Sequence, residues 1–165
     1  MEGRVFKILI FYNKDEKDHY LSKLRESITK HLQERLQGFT YQIEIDSSKD
    51  IVEHIISNPV RVMEDIILSL TERVQQSDLI LVDITYENIN IGIEIGRYIE
   101  SSSKYHLFFI HETEAENRVN KQNLPFYLKY KRVYDLNLEE DKKLFLEEIY
   151  NYFKSIIYFQ FTIFI

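Results

Sequence analysis

Short apolar runs alternate with helical stretches along this chain, and that alternation constrains the fold more than any other feature. Val5 to Tyr12 (VFKILIFY), Asp78 to Ile84 (DLILVDI) and Tyr105 to Ile110 (YHLFFI) are rich in β-branched and aromatic residues. Runs of this kind are strands apolar on both faces, which belong inside a sheet covered on both sides. Between them the period changes. Leu21, Leu24, Ile28, Leu32 and Leu36 recur at spacings of three and four within Asp15 to Gln37, one stripe of a helix. Gly38 stands where a helix C-cap glycine belongs. Phe39, Tyr41, Ile43 and Ile45 then alternate with polar residues, which predicts a strand near a sheet edge.

The second half continues the pattern. Ser47 to Ser57 has room for a short helix. Asn58-Pro59 is a helix start, leading to an apolar face of Met63, Ile66, Ile67, Leu70 and Val74. Asn90 to Ser101 reads as a helix with Ile91, Ile95, Tyr98 and Ile99 on one side, and residues 111–130 as an irregular loop. Lys131 to Leu136 is a last strand. Leu138 to Ile156 is a last helix, with Leu144, Phe145, Ile149, Tyr152 and Phe153 facing inward. Such alternation predicts an α/β fold: a flavodoxin-like three-layer sandwich with a mainly parallel five-stranded sheet. Residues 1–156 suffice for this single domain, and 157–165 remain as an apolar, uncharged C-terminal tail. Ile157 to Ile165 is expected to add an edge strand or to pack against a second copy, making the chain a homo-oligomer.

Composition narrows the function classes. Twenty-one basic against 27 acidic residues leave a net charge of −6, which opposes the clustered basic surface of a nucleic-acid binder. No cysteine is present, so disulfides and cysteine zinc sites are excluded, in keeping with a cytoplasmic location. The first residues lack the pattern of a targeting signal, and no apolar run reaches the length of a membrane span. His19, His31 and His54 are dispersed without metal-ligand spacing, so no metal is expected.

In a parallel sheet the ligand crevice lies beyond the C-terminal strand ends. Tyr12 and Asn13 follow the first strand, and His111 and Glu112 follow the fourth. The first turn has no glycine-rich phosphate loop, which weighs against a dinucleotide held in the Rossmann manner. The segment after the third strand is richest: Asp83, Thr85, Asn88, Asn90 and Glu94, with Gly92 and Gly96 on one side of the following helix. Glu94 falls near that helix's N-terminus, where an ionised carboxylate is favoured.

This segment resembles the Asp-Leu-Thr, two residues, Asn-Pro-Asn, three residues, Glu-Leu-Gly pattern of nucleoside 2-deoxyribosyltransferase-like proteins. TIR-like predicted nucleotide-binding domains of bacterial defence systems share it. Asp83, Thr85, Asn88, Asn90, Glu94 and Gly96 stand in the same order and spacing. The preceding Ser77-Asp78-Leu-Ile-Leu-Val-Asp83 is similar to the family's (A/S)DLVIVD, and Leu124-Pro125-Phe126-Tyr127-Leu128-Lys129 is close to its Leu-Pro-Phe-Asp-Leu-Arg. The resemblance spans roughly residues 4–155, with its specificity concentrated in 77–96.

The resemblance implies cleavage or transfer of an N-glycosidic bond in NAD or a related nucleoside, with no cofactor beyond NAD as a substrate. Glu94 matches the nucleophile, Asp83 the aspartate that holds ribose hydroxyls, and Tyr12 the tyrosine near the substrate. Asn13, Thr85, Asn88 and Asn90 complete the binding set. A carboxylate can trap an oxocarbenium-like carbon and split one hard step into two. Nicotinamide leaves NAD as a neutral group, whereas a purine needs protonation, which tilts the expectation toward an NAD-like substrate. Three positions depart from the pattern: Phe11-Tyr12-Asn13-Lys14 replaces an Ala-Gly-Pro loop, Ile89 a proline and Tyr127 an aspartate. The first points to the TIR-like branch.

Two other readings use the same residues. A non-catalytic TIR-like module would bind a nucleotide signal or assemble with itself, leaving Glu94 as a helix-dipole acid and Asp83 as a turn cap. A response-regulator receiver domain would make Asp83 the phosphoacceptor. Against it, the first strand ends in Tyr12-Asn13 rather than an acidic pair, and Tyr134-Asp135-Leu136 carries neither the lysine nor the proline expected there.

Overall fold

The apolar runs pair with one another as parallel strands, and the amphipathic stretches between them become the covering layers. A computed structural model describes residues 4–12, 18–48, 50, 62–85, 106–111 and 132–162. Five strands, β1 (Arg4–Phe11), β2 (Tyr41–Ser47), β3 (Leu79–Asp83), β4 (His106–His111) and β5 (Val133–Asp135), form one sheet in the order β2-β1-β3-β4-β5. Every pairing is parallel. Among the described residues three long helices accompany it: α1 (Asp18–Arg35), α2 (Val62–Gln76) and α3 (Glu139–Thr162). This is the flavodoxin-like α/β architecture.

The period of two along each strand divides the core. Phe6, Ile8, Ile10 and Tyr12 of the β1 run share one cluster with Leu79 and Leu81 of β3 and Phe108 and Ile110 of β4. The same cluster takes the stripe Leu21, Leu24, Ile28, Leu32 and Leu36 from α1, and Phe145, Ile149, Phe153 and Ile157 from α3. Leu9, Phe11, Ile80, Val82 and Phe109 face the other way, onto Leu70 and Val74 of α2. The layers are therefore α1 with α3, the sheet, and α2. All five residues of β3 are buried, as befits a central strand. Phe153 is fully buried with its ring centroid 4.4 Å from that of Phe6. Burying such a side chain contributes roughly 1.5–3 kcal/mol.

The ends of the elements follow local chemistry. Gly38 ends α1 at φ +93°, a left-handed conformation open to glycine. β2 is the edge strand expected from its alternation, with Gln42 and Glu44 exposed. Ser47 and Asp50 form a reciprocal pair: the Asp50 amide donates to Ser47 Oγ at 3.2 Å, and the Ser47 amide donates to Asp50 Oδ2 at 3.0 Å. That is a capping box with aspartate in the third position.

Two expectations need correction. Residues 157–162 continue α3, so the tail there is helix and not an edge strand. Ile157 falls four residues after Phe153 and eight after Ile149, on the buried stripe, and is only 6% exposed. Tyr158 and Phe159, off that stripe, are 53% and 69% exposed. On α2, Ile67 is 45% exposed. It shares the helix face of Val74 but lies two turns nearer the N-terminal end. The helix expected over Asn90 to Ser101, the loop beyond His111 and the Asn58-Pro59 start lie outside the described residues.

Candidate active site at the carboxyl edge of the sheet

The chain runs outward from β1 to β2, then crosses to β3 on the other side of β1. This reversal is the topological switch point at which an open parallel sheet forms its ligand crevice. Two of the sequence-predicted site residues stand there. Phe11 pairs with Val82, so Tyr12 and Asp83 are the next residues along two adjacent strands. Alternation turns both toward the α1 and α3 face, since Tyr12 clusters with the residues of that face and Asp83 follows Leu79 and Leu81 in register.

Tyr12 is 7% exposed. Its ring stacks on Tyr20 of α1, with centroids 5.6 Å apart and planes at 27°. Its backbone is clasped by the residue after β2. The Tyr12 amide donates to Ser48 Oγ, and the Ser48 hydroxyl donates to the Tyr12 carbonyl, each at 3.2 Å. Ser48 thereby extends the β1–β2 pairing by one side chain.

Asp83 is 5% exposed, a rare degree of burial for a carboxylate. Its Oδ1 accepts the Thr85 amide at 2.8 Å and also the Thr85 hydroxyl. Asp83 and Thr85 are thus brought together in one turn, which fixes the carboxylate at the strand end. The Ile84 amide donates to the Ile110 carbonyl at 2.9 Å and carries the ladder one step past β3. His111 ends β4 and its carbonyl accepts the Leu136 amide at 2.9 Å. Asn13, Asn88, Asn90, Glu94 and Glu112 lie outside the described residues.

The rim beyond β2 holds a group that sequence reasoning missed. Asp50 accepts the Ser47 hydroxyl at 2.7 Å and pairs with Arg25 of α1. Burial pushes its carboxyl up, but the Ser47 bonds and the Arg25 charge together hold it below the usual carboxylate value. The signal was present as Ser47-Ser-Lys-Asp50, a capping pattern.

Among the described residues no cluster of three or more His, Cys, Asp or Glu could hold a metal ion. No described helix is long and apolar enough to cross a membrane. No known protein-family model matches the chain, and no curated protein matches it.

Proposed function

We propose that the chain cleaves or transfers the N-glycosidic bond of NAD or a related nucleoside, with Glu94 as nucleophile. Asp83 and Asn90 hold the ribose hydroxyls, and Tyr12 flanks the base. The observation that carries the reading is that Tyr12 and Asp83 each follow the last β1–β3 pair, Phe11 and Val82, at the switch point where this fold class binds its ligands. The resemblance of residues 77–96 to deoxyribosyltransferase-like and TIR-like proteins supplies the chemistry. The Glu94 carboxylate forms an ester with the anomeric carbon as the bond to the base nitrogen breaks. The electron pair of that bond leaves with the base, and nicotinamide departs neutral. Water then attacks the same carbon and releases the carboxylate, or an acceptor base does so in transfer.

One observation favours a second reading, a non-catalytic nucleotide-sensing or self-associating module. Asp83 binds Thr85 two residues on, which is also what a purely structural turn cap does. The exposed Tyr158 and Phe159 at the end of α3 support self-association there. The test is incubation with NAD and a panel of nucleosides, comparing wild type with Glu94→Gln. The first reading expects base release that falls at least about a hundredfold in the variant, some 3 kcal/mol of barrier. Undiminished release removes Glu94 from the mechanism. No release combined with tight nucleotide binding by calorimetry establishes the sensor. Labelling of Asp83 by acetyl phosphate with magnesium would revive the receiver domain.

A further inference from the structure

A second concave site lies on the α1 and α3 face. The first half of α1 and the turn from β5 into α3 enclose a cavity of about 210 Å³. Leu24 and Phe145, both core residues, give it an apolar floor. Lys23 enters from α1 and Lys142 from the first turn of α3, with Ser27 and Asn137 between them. Among the described residues none that lines it is acidic. Among the described residues neither lysine forms an ion pair, while the nearest carboxylate in sequence is engaged elsewhere. Asp141 lies 3.5 Å from Arg132 and accepts the Asp135 amide at 3.2 Å. The Asp135 carboxylate beside the cavity accepts the Asn137 amide at 3.0 Å and, among the described residues, pairs with neither lysine.

We propose that this cavity binds a small organic oxyanion: one apolar or aromatic group bearing a phosphate or carboxylate. The lysines take the charge, Ser27 and Asn137 offer hydrogen-bond donors, and the apolar body rests on Leu24 and Phe145. Size sets the class. The hollow is half open to solvent and measures about 210 Å³, below the roughly 300–1,000 Å³ of drug-sized ligand pockets, which suits a ring with one oxyanion. Tyr20, whose ring stacks on Tyr12, also lines the cavity, which therefore borders the carboxyl-edge crevice; the anion site uses the two lysines and not Asp83.

The test is a titration of the full chain followed by amide chemical shifts, using phenyl phosphate, benzoate and neutral benzyl alcohol. The proposal expects saturable shifts at Leu24, Ser27, Asn137 and Phe145 with at least one anion, and the stronger anion identifies the head group. Lys23→Gln and Lys142→Gln, made singly and together, are expected to weaken binding roughly tenfold per lysine. Exposed or half-exposed lysines of this kind leave the fold intact, which the dispersed spectrum verifies. Absence of saturable shifts with both anions overturns the site. So does equal binding of benzyl alcohol, or undiminished binding in the double variant.

Discussion

Two aspartates bracket β3, and they are used in opposite ways. Asp78, just before the strand, ties distant parts of the chain together. It pairs with Arg4 at 2.8 Å, accepts the Lys7 amide at 3.0 Å, and its carbonyl accepts the Tyr152 hydroxyl at 2.8 Å. Its own amide donates to the Lys7 carbonyl. Asp83, at the other end of the same strand, bonds to Thr85 only two residues away. Asp78 joins β3 to β1 through its carboxylate and to α3 through its carbonyl at the amino edge; at the carboxyl edge the Asp83 carboxylate accepts from Thr85, on the strand beside Tyr12. A sheet whose strands are locked at one end can present a shaped, polar rim at the other. In this fold class the carboxyl edge is where ligands bind.

Breaking the amino edge should cost the most stability. Asp78→Ala is expected to destabilise the fold by about 2–4 kcal/mol, because Arg4 and the Lys7 amide lose a part-buried acceptor. Urea unfolding measures this, and base release should be unchanged where the variant is folded. Asp83→Asn reverses the pattern. It should keep stability within about 1 kcal/mol, since an amide oxygen still accepts from Thr85, yet weaken nucleotide binding roughly tenfold to a hundredfold. Equal loss of stability in both variants would erase the contrast between the edges.

Tyr152→Phe should cost about 1 kcal/mol by leaving the Asp78 carbonyl without its hydroxyl donor. Burial raises the Tyr152 hydroxyl above its ordinary value of 10.0, helped by the Asp78 charge and opposed by Arg4. Burial also raises Tyr134, with the Glu148 carboxylate beside it adding to the rise. A phenol raised in the folded state contributes stability that is whole below the unfolded value and is lost as pH climbs past it. Stability should therefore decline above pH 10.0, and Tyr152→Phe should flatten part of that decline.

The smallest effect belongs to the carboxyl rim. Asp50 is held low in the folded state, so its contribution is present above its unfolded value of 3.8 and fades as pH falls further. Asp50→Asn should remove that acid-limb dependence and lower neutral-pH stability slightly, so that the two proteins converge as pH falls below 3.8.

The legible parts of the fold were those where one face is apolar and the other polar. The α1 stripe from Leu21 to Leu36 and the edge position of β2 follow directly from such contrast. The run from Val5 to Tyr12 lacks it. A strand apolar on both faces does not reveal which residues meet which helix layer, so the stacking of Tyr12 on Tyr20 was not readable. The end of α3 misled for a related reason. Ile157-Tyr-Phe-Gln-Phe-Thr favours a strand by propensity, but Ile157 keeps the helical spacing of Ile149 and Phe153 and is buried by it. At the site, the strand-end rule alone brought out Tyr12, Asp83 and Thr85, while the Ser48 clasp on Tyr12 depends on the β1–β2 register.

Attack of the Glu94 carboxylate on the anomeric carbon, as proposed, can be caught as a covalent ester. A nucleoside analogue with fluorine beside that carbon slows release of the ester, because the fluorine destabilises the oxocarbenium-like transition state. Mass spectrometry of protein incubated with such an analogue tests the claim most directly. A glycosyl adduct is expected on the peptide that contains Glu94, absent from Glu94→Gln and present at wild-type yield in folded Asp78→Asn. Base release without any adduct, persisting in Glu94→Gln, would contradict it.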